Sequence, residues 1–404
     1  MDTSVPVLVL HQGGNGSLAI ARTLGRLGVR VYLAAGDDVS PPTSSRYWSK
    51  RFHWNFFGSP GDSVSFLLYV AQSIGSRPIL LTTSDWFAIF IEQNAALLST
   101  AFTFPVAQEP VVHALLHKWK MFLLAKKHGI SAPDTVYPQS RTQVLEFIDC
   151  ARFPVVVKLA DPFAPQNTHN EIVQNASNLL EKYDRASDAG PANVIFQEYI
   201  PGGADSVWMC NAYFDARSEC RAIYTGEKLR QSSPTGAASL AICLPNSTVA
   251  DATRHFMQAV HYKGAVGIGY RYDARDGKYK ILDVNARVSG IFRLFRATNG
   301  LDIVRICYLD LTGQQTCPTI APIGRKWLME EDFLWAARAI RERKITFRAW
   351  LTSIRGLRET AIFAIDDPIP LLLWLWWHCN QFFSKARRTL PARLHLLKTQ
   401  SRAV

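Results

Sequence analysis

The run Lys278-Tyr279-Lys280-Ile281-Leu282-Asp283-Val284-Asn285-Ala286-Arg287 constrains this chain more than any other segment. Its composition predicts a strand. Side chains alternate along a strand, so Asp283, Asn285 and Arg287 share one face. Ile281 is expected on that face too, with Leu282, Val284 and Ala286 on the other. An acid, an amide oxygen and a guanidinium spaced two residues apart form a usable binding edge. The first two offer oxygen to a hard cation such as Mg²⁺ (or Mn²⁺), and the third can take a phosphoryl or carboxylate oxygen. The competing reading is a strand end whose polar groups meet water.

Upstream, Val7–Leu10 reads as a buried strand, followed by Gly13, Gly14 and Gly16 and a helical pattern through Leu18, Ala21, Leu24 and Leu27. Val29–Leu33 is the next strand, and Pro78–Leu81 a later one that ends in Thr82-Thr83-Ser84-Asp85. Residues 1–105 are therefore expected to form an open α/β domain. The glycine turn invites a dinucleotide and an oxidoreductase reading, but its spacing is not GxGxxG and no acid ends the second strand. The alternative is a helix N-terminus that meets an anionic substrate.

Further along, Val111–Lys127 is helical and Gly129 a stop signal. Phe153–Leu159 and Asn193–Ile200 are strands, and Pro201-Gly202-Gly203 closes the second. Val207–Phe214, Glu219–Thr225, Ala265–Tyr272 and Lys278–Val284 follow as further strands. At 404 residues, 48% hydrophobic and 19% charged, the chain has core enough for several folded units. The net charge of +12 admits phosphorylated ligands, anionic membrane or nucleic acid. No nucleic-acid motif accompanies it, so nucleic acid is not expected. Seven scattered cysteines with no CxxC pair point to a reducing, cytoplasmic setting. The opening residues carry no signal-peptide pattern.

Ordered features now converge: Lys118 on a helix, Lys158 after Phe153-Pro154-Val155-Val156-Val157, the segment Gln197-Glu198-Tyr199-Ile200-Pro201-Gly202, and the strand carrying Asp283, Asn285 and Arg287. With Ser45-Arg46-Tyr47 and the hairpin Tyr270 to Lys278, this order resembles the ATP-grasp superfamily, in particular its carboxylate–amine ligases with a C-terminal extension. The resemblance implies an N-terminal α/β domain (1–105), a small ATP-grasp lobe (106–190), a large lobe with the metal site (191–315) and a helical, basic extension (316–404).

It also implies ATP and Mg²⁺ as cofactors, with a small-molecule carboxylate and an amine as substrates. Lys118 and Lys158 match phosphate-binding lysines. Gln197, Glu198 and Ile200 match the linker that meets adenine, and Asp205 the acid that takes the ribose. Asp283 and Asn285 match the metal ligands. Arg287, with Lys158 and Arg230, matches the groups that act on the transferred phosphate. Lys228, Arg293 and Arg296 are further candidates for binding an anionic substrate.

Two departures stand out. The segment 161–175, where the family has its phosphate loop, lacks glycine between Leu159 and Asn167. The family's first metal carboxylate falls at Gly267 or Gly269, which have no side chain to bind metal. Either Asp273, which has the same strand parity, substitutes, or one Mg²⁺ is held mainly by Asp283, Asn285, phosphate and water. The third alternative is a catalytically degenerate ATP-binding regulatory or scaffold protein.

In the extension, Leu371-Leu372-Leu373-Trp374-Leu375-Trp376-Trp377 is too short to span a bilayer. Residues 371–402, with their basic end, suit peripheral contact with a membrane at its inner face. The alternative is a helix packed on the core or in a homodimer interface.

Overall fold

Short apolar runs alternate with amphipathic helices at the N-terminus, and a parallel sheet results. A computed structural model describes residues 1–37, 39–164, 170–187, 192–231 and 236–380. Strands β1 (Val7–Leu10), β2 (Val31–Ala35), β3 (Trp48–His53) and β4 (Ile79–Thr82) pair in the order β3-β2-β1-β4, all parallel. Such pairs need crossovers, and the helices Gly16–Gly25 and Pro60–Ile74 provide them. Every residue of β1 is buried, which is why it reads as a continuous apolar run. Gly13 and Gly14 turn the chain with φ of +74° and +73°, a region that favours glycine.

The second sheet holds β5 (Thr135–Val136), β6 (Val155–Leu159), β7 (Glu171–Val173) and β8 (Val194–Glu198) in the order β5-β8-β6-β7. All three pairings are antiparallel. Val144 and Leu179, from the helices Arg141–Cys150 and Ala176–Ser187, pack on Val155, Val157 and Phe196 behind it.

The largest sheet has seven strands: β9 (Val207–Phe214), β10 (Cys220–Gln231), β11 (Ala238–Cys243), β12 (Gly264–Asp273), β13 (Lys278–Asn285), β14 (Lys326–Leu328) and β15 (Leu357–Thr360). Their order is β13-β12-β9-β10-β11-β14-β15. The extension thus carries the expected helices, Glu331–Arg341 and Phe347–Ser353, and also lends two strands to this sheet.

The β12–β13 hairpin corrects one expectation. Gly269 pairs with Asp283 but Tyr270 pairs with Ile281, so Leu282 is an inserted bulge residue. A bulge breaks the two-residue alternation. Ile281 therefore joins Val284 and Ala286 in the core instead of sharing a face with Asp283.

The extension is tied back to the first domain by charge. Asp367 is wholly buried and accepts hydrogen bonds from Arg22 Nε (2.9 Å), Ser45 Oγ (2.6 Å) and the Arg46 amide (3.0 Å). Arg26 holds Asp366 through two hydrogen bonds of 2.8 and 2.7 Å. Removing one member of a buried pair leaves the other charge uncompensated. Asp367→Ala should therefore cost about 3–5 kcal/mol, read as a lowered denaturation midpoint, whereas Asp366→Ala, at an exposed pair, should cost about 1 kcal/mol or less.

Candidate active site

A cleft of about 970 Å³ opens between the second and third sheets, with the N-terminal domain at one end. Lys118, Lys158, Gln197, Glu198, Ile200, Arg230, Asp283, Asn285 and Arg287 all line it. The chain therefore brings most of the residues singled out by sequence into one space. Asp205 and Asp273 are not among the lining residues. Asp205 sits in the exposed turn Ala204–Ser206 at the rim, next to Gly203 and Ala204, which do line the cleft.

Local structure aims each group. Lys118 is the first residue of the helix Lys118–Lys127, and its amide donates to the Ala160 carbonyl at 2.8 Å. That bond ties the helix start to the end of β6. The Lys118 ammonium reaches across the cleft and forms an ion pair with Asp283. Burial alone would raise the Asp283 pKa, but Lys118, Lys158 and Arg287 outweigh it and hold the carboxyl below its usual range. Asn285 lies two residues on, its Nδ2 donating to Asp283 Oδ2 at 3.3 Å. Arg287 Nη2 donates to Asn285 Oδ1 at 2.7 Å. The three polar side chains thus form one contiguous edge.

Lys158, near the end of β6, donates to Gln197 Oε1 at 2.7 Å, and Gln197 Nε2 in turn donates to Thr135 Oγ1 at 3.1 Å. Burial of the Lys158 ammonium, reinforced by Lys118, lowers its pKa to about 8. Lys228 lies on the cleft wall and donates to the Gly236 carbonyl at 3.2 Å; burial lowers its pKa as well. Arg271, on β12, donates to the Gly202 carbonyl. Six cationic side chains line the cleft against two carboxylates. Lys158, Lys228 and Arg271 have no acidic partner among the described residues. An anion entering the cleft meets their charge without first breaking an ion pair.

The linker after β8 also has a free donor. Ile200 is buried, and its amide makes no intramolecular hydrogen bond among the described residues. The Glu198 side chain is committed elsewhere: it accepts from Arg275 Nη2 (2.5 Å) and Lys280 Nζ (3.2 Å).

That network overturns the expectation for Asp273. Asp273 accepts from Lys280 Nζ at 2.7 Å and from Arg275 Nε at 2.8 Å and Nη2 at 2.6 Å. Arg275 first, and Lys280 beside it, hold its carboxyl far below the usual range against the cost of burial. Asp273 has the parity expected of it, but Gly269, not Asp273, pairs with Asp283. Four strand residues separate the two sites, roughly 13 Å. Asp273 anchors the hairpin to Glu198 and does not join Asp283 and Asn285.

Arg230 is corrected too. It lines the cleft, but Nε and Nη2 bind Asp332 at 2.8 and 2.7 Å, Nη1 binds Ser353 Oγ at 2.7 Å, and the guanidinium lies over Trp335 at 5.2 Å. Its charge is spent on the C-terminal extension, which removes it from the expected catalytic role. Arg293 is buried against Asp302 and Glu359 at 2.9 Å each, away from the cleft. Of the expected phosphate-loop segment, residues 165–169 lie outside the described residues.

Asp85 and Asn211 were not found by sequence, whereas Gly14 and Asn15 belong to the glycine turn already read as a meeting point for an anionic substrate. Asp85 begins the helix Asp85–Gln93 and pairs with Arg287 Nε at 2.9 Å, linking the first domain to the site; burial raises its pKa, opposed by Arg287. Gly14 and Asn15 reach the cleft beside Ser289 and Gly290. Asn211 lines the cleft from β9, nearly wholly buried, and its Oδ1 has no hydrogen-bond partner. It stands opposite Gly267, which in turn pairs with Asn285. A lone amide in the apolar run of β9 was the available signal.

The donors fit Mg²⁺. Asp283 and Asn285 supply adjacent oxygens, and the Asn211 amide oxygen lies unspent two strands away. Among the described residues no group of three acidic, histidine or cysteine side chains is placed to hold a metal ion. Mg²⁺ tolerates such a site because it keeps waters and takes phosphate oxygens as ligands.

Comparison with known proteins agrees with this architecture. No family model matches the chain. It is 25% identical over 245 residues to D-aspartate ligase of Enterococcus faecium (strain Aus0004), covering 57% of this chain and 58% of that protein. The match thus spans a little over half of the relative. Among solved structures, N5-carboxyaminoimidazole synthetase from Staphylococcus aureus complexed with ADP superposes with a TM-score of 0.64 at 12% identity, covering 85% of this chain and 87% of that one. L-amino acid ligase from Bacillus licheniformis gives a TM-score of 0.59 at 13% identity, covering 77% and 75%. The fold is the one shared with these solved structures.

The two glycines give a direct test of the site geometry. A β-carbon on Gly267 would lie 2.9 Å from Ser289 Cβ, whereas one on Gly269 would come no closer than 3.9 Å to Asp283 Cβ. Gly267→Ala should destabilise by about 1–3 kcal/mol through overpacking. Gly269→Ala should be neutral or stabilise by about 0.5–1 kcal/mol, because alanine loses less backbone entropy in a strand. Denaturation midpoints of the two variants decide this.

Proposed function

We propose that the protein is an ATP-dependent ligase that activates a carboxylate as an acyl phosphate and joins it to an amine, releasing ADP and phosphate. The observation that carries this reading is the set of three cations without acidic partners arranged around the Asp283–Asn285–Arg287 edge. A polyphosphate brings several negative charges, and a cleft with spare positive charge from separate strands holds them in a fixed pose.

In this account the Ile200 amide and the backbone of the linker meet the adenine. Asp205, at the rim, takes the ribose hydroxyls. Lys158 holds phosphate oxygens, and Lys118 turns from Asp283 to phosphate as the nucleotide arrives. Asp283 and Asn285 hold Mg²⁺, which when bound neutralises phosphate charge and keeps attacking and leaving oxygens in line. Arg287 steadies the transferred phosphoryl group, with Asp85 fixing its guanidinium. The carboxylate approaches from the side of Gly14, Asn15 and Ser289, where backbone comes close. The amine then attacks the acyl carbon and phosphate leaves. The cleft must exclude water, which would hydrolyse the acyl phosphate.

The amino acid ligases among the relatives support an amino acid as one of the joined molecules. Seven cysteines with buried Cys210, Cys243 and Cys307 and no disulfide among the described ones support a reducing, cytoplasmic setting.

Two measurements test the assignment. Purified protein offered Mg²⁺, ATP and paired combinations from a panel of amino acids, other carboxylates and other amines should release ADP and phosphate with a matched carboxylate–amine pair and not with ATP alone. Asp283→Ala should lower that release by at least a hundredfold while leaving the thermal midpoint within a few degrees. Full turnover by the variant would refute the site. ATP affinity should also depend on pH. The protonated Lys158 binds phosphate, so affinity should be flat below pH about 8 and weaken towards tenfold per unit above it. Lys158→Gln should bind more weakly and lack this bend, which titration calorimetry from pH 7 to 9.5 would show.

A further inference from the structure

The last described helix, residues 369–380, packs by one side only. Trp374 is buried in the main core and Leu371 packs against it. Trp374 Nε1 donates to Glu331 Oε1 at 3.4 Å, which docks the helix on Glu331–Arg341. The other side faces solvent and is apolar. Ile369 is 49% exposed, Leu372 60%, Leu375 44% and Trp376 63%, with Trp377 beside them at 54%. Positions 369, 372 and 376 recur at the spacing of one helix face. Phe363 and Ile365, shortly before the helix in the chain, are exposed as well.

No charged residue occurs between Asp367 and Lys385. A solvated helix face is ordinarily polar, and a contiguous apolar one of this kind marks an interaction surface. In the sequence that follows, which lies outside the described residues, Lys385, Arg387, Arg388, Arg393, Lys398 and Arg402 fall in the last twenty positions without an acid.

We propose that this face docks on an anionic lipid surface. Tryptophan and leucine would enter the headgroup boundary while the basic tail meets lipid phosphate, the two signals together giving stable but reversible attachment. The helix is too short to cross a bilayer, and no described helix is long and apolar enough to do so. A second copy seated on the same face would leave the positive charge of the tail unneutralised, whereas an anionic surface neutralises it. This proposal is independent of the ligase reading, since the face lies outside the nucleotide cleft.

The test is co-sedimentation of the full chain with vesicles. Wild-type protein should sediment with vesicles of 30% phosphatidylglycerol in phosphatidylcholine, and not with phosphatidylcholine alone. Leu372→Glu and Trp376→Glu, both at exposed positions, should each weaken sedimentation at least tenfold with an unchanged thermal midpoint. Replacing the six basic residues by Gln should weaken it as much and remove its dependence on salt. Wild-type protein that stays in the supernatant at low salt, binds neutral vesicles equally, or sediments undiminished in the variants would overturn the proposal. So would a lipid-free dimer by light scattering that Trp376→Glu dissociates, which would assign the face to a second copy.

Discussion

The ion pair between Lys118 and Asp283 joins the parts of the cleft that must work together. One partner starts a helix hydrogen-bonded to the small sheet, and the other ends the edge strand of the large one. The pair keeps the partly exposed Asp283 carboxylate ionised. Around it, Lys158, Lys228 and Arg271 have no acidic partner among the described residues, and burial makes their positive charge costly. An anion in the cleft would offset that cost.

A second network holds the linker. Glu198, Asp273, Arg275 and Lys280 tie the strand leaving the small sheet to the β12–β13 hairpin. The Glu198 side chain is thus engaged by Arg275 and Lys280, while the neighbouring Ile200 amide makes no hydrogen bond among the described residues. The extension closes the remaining side. Asp332 holds Arg230, Asp367 holds Arg22, and Trp327, Met329 and Trp335 line the cleft. Residues 327–335 thus contribute to the cleft wall.

Much of this was legible in the sequence because the signals were local. The alternation of Asp283, Asn285 and Arg287 and the apolar runs before Lys158 and Gln197 belong to single strands. The failures were of another kind. Ile281 changed face because a bulge at Leu282 interrupts the period, and nothing in Ile-Leu-Asp announces it. Asp273 had the right parity, but its partners Arg275 and Lys280 capture it at a site too far along the hairpin. Arg230 is claimed by Asp332, a hundred residues on, and Arg287 is fixed by Asp85, two hundred residues before. Such pairings depend on tertiary proximity, which periodicity cannot express.

The central claim is that Asp283 and Asn285 hold Mg²⁺ against the phosphates of a bound nucleotide. Titration calorimetry of a non-hydrolysable ATP analogue, with and without Mg²⁺, in wild type and in Asn285→Ala, tests it most directly. The account predicts that Mg²⁺ tightens binding at least tenfold in wild type and by far less in the variant. Equal tightening in both proteins, or no nucleotide binding in wild type, would contradict it.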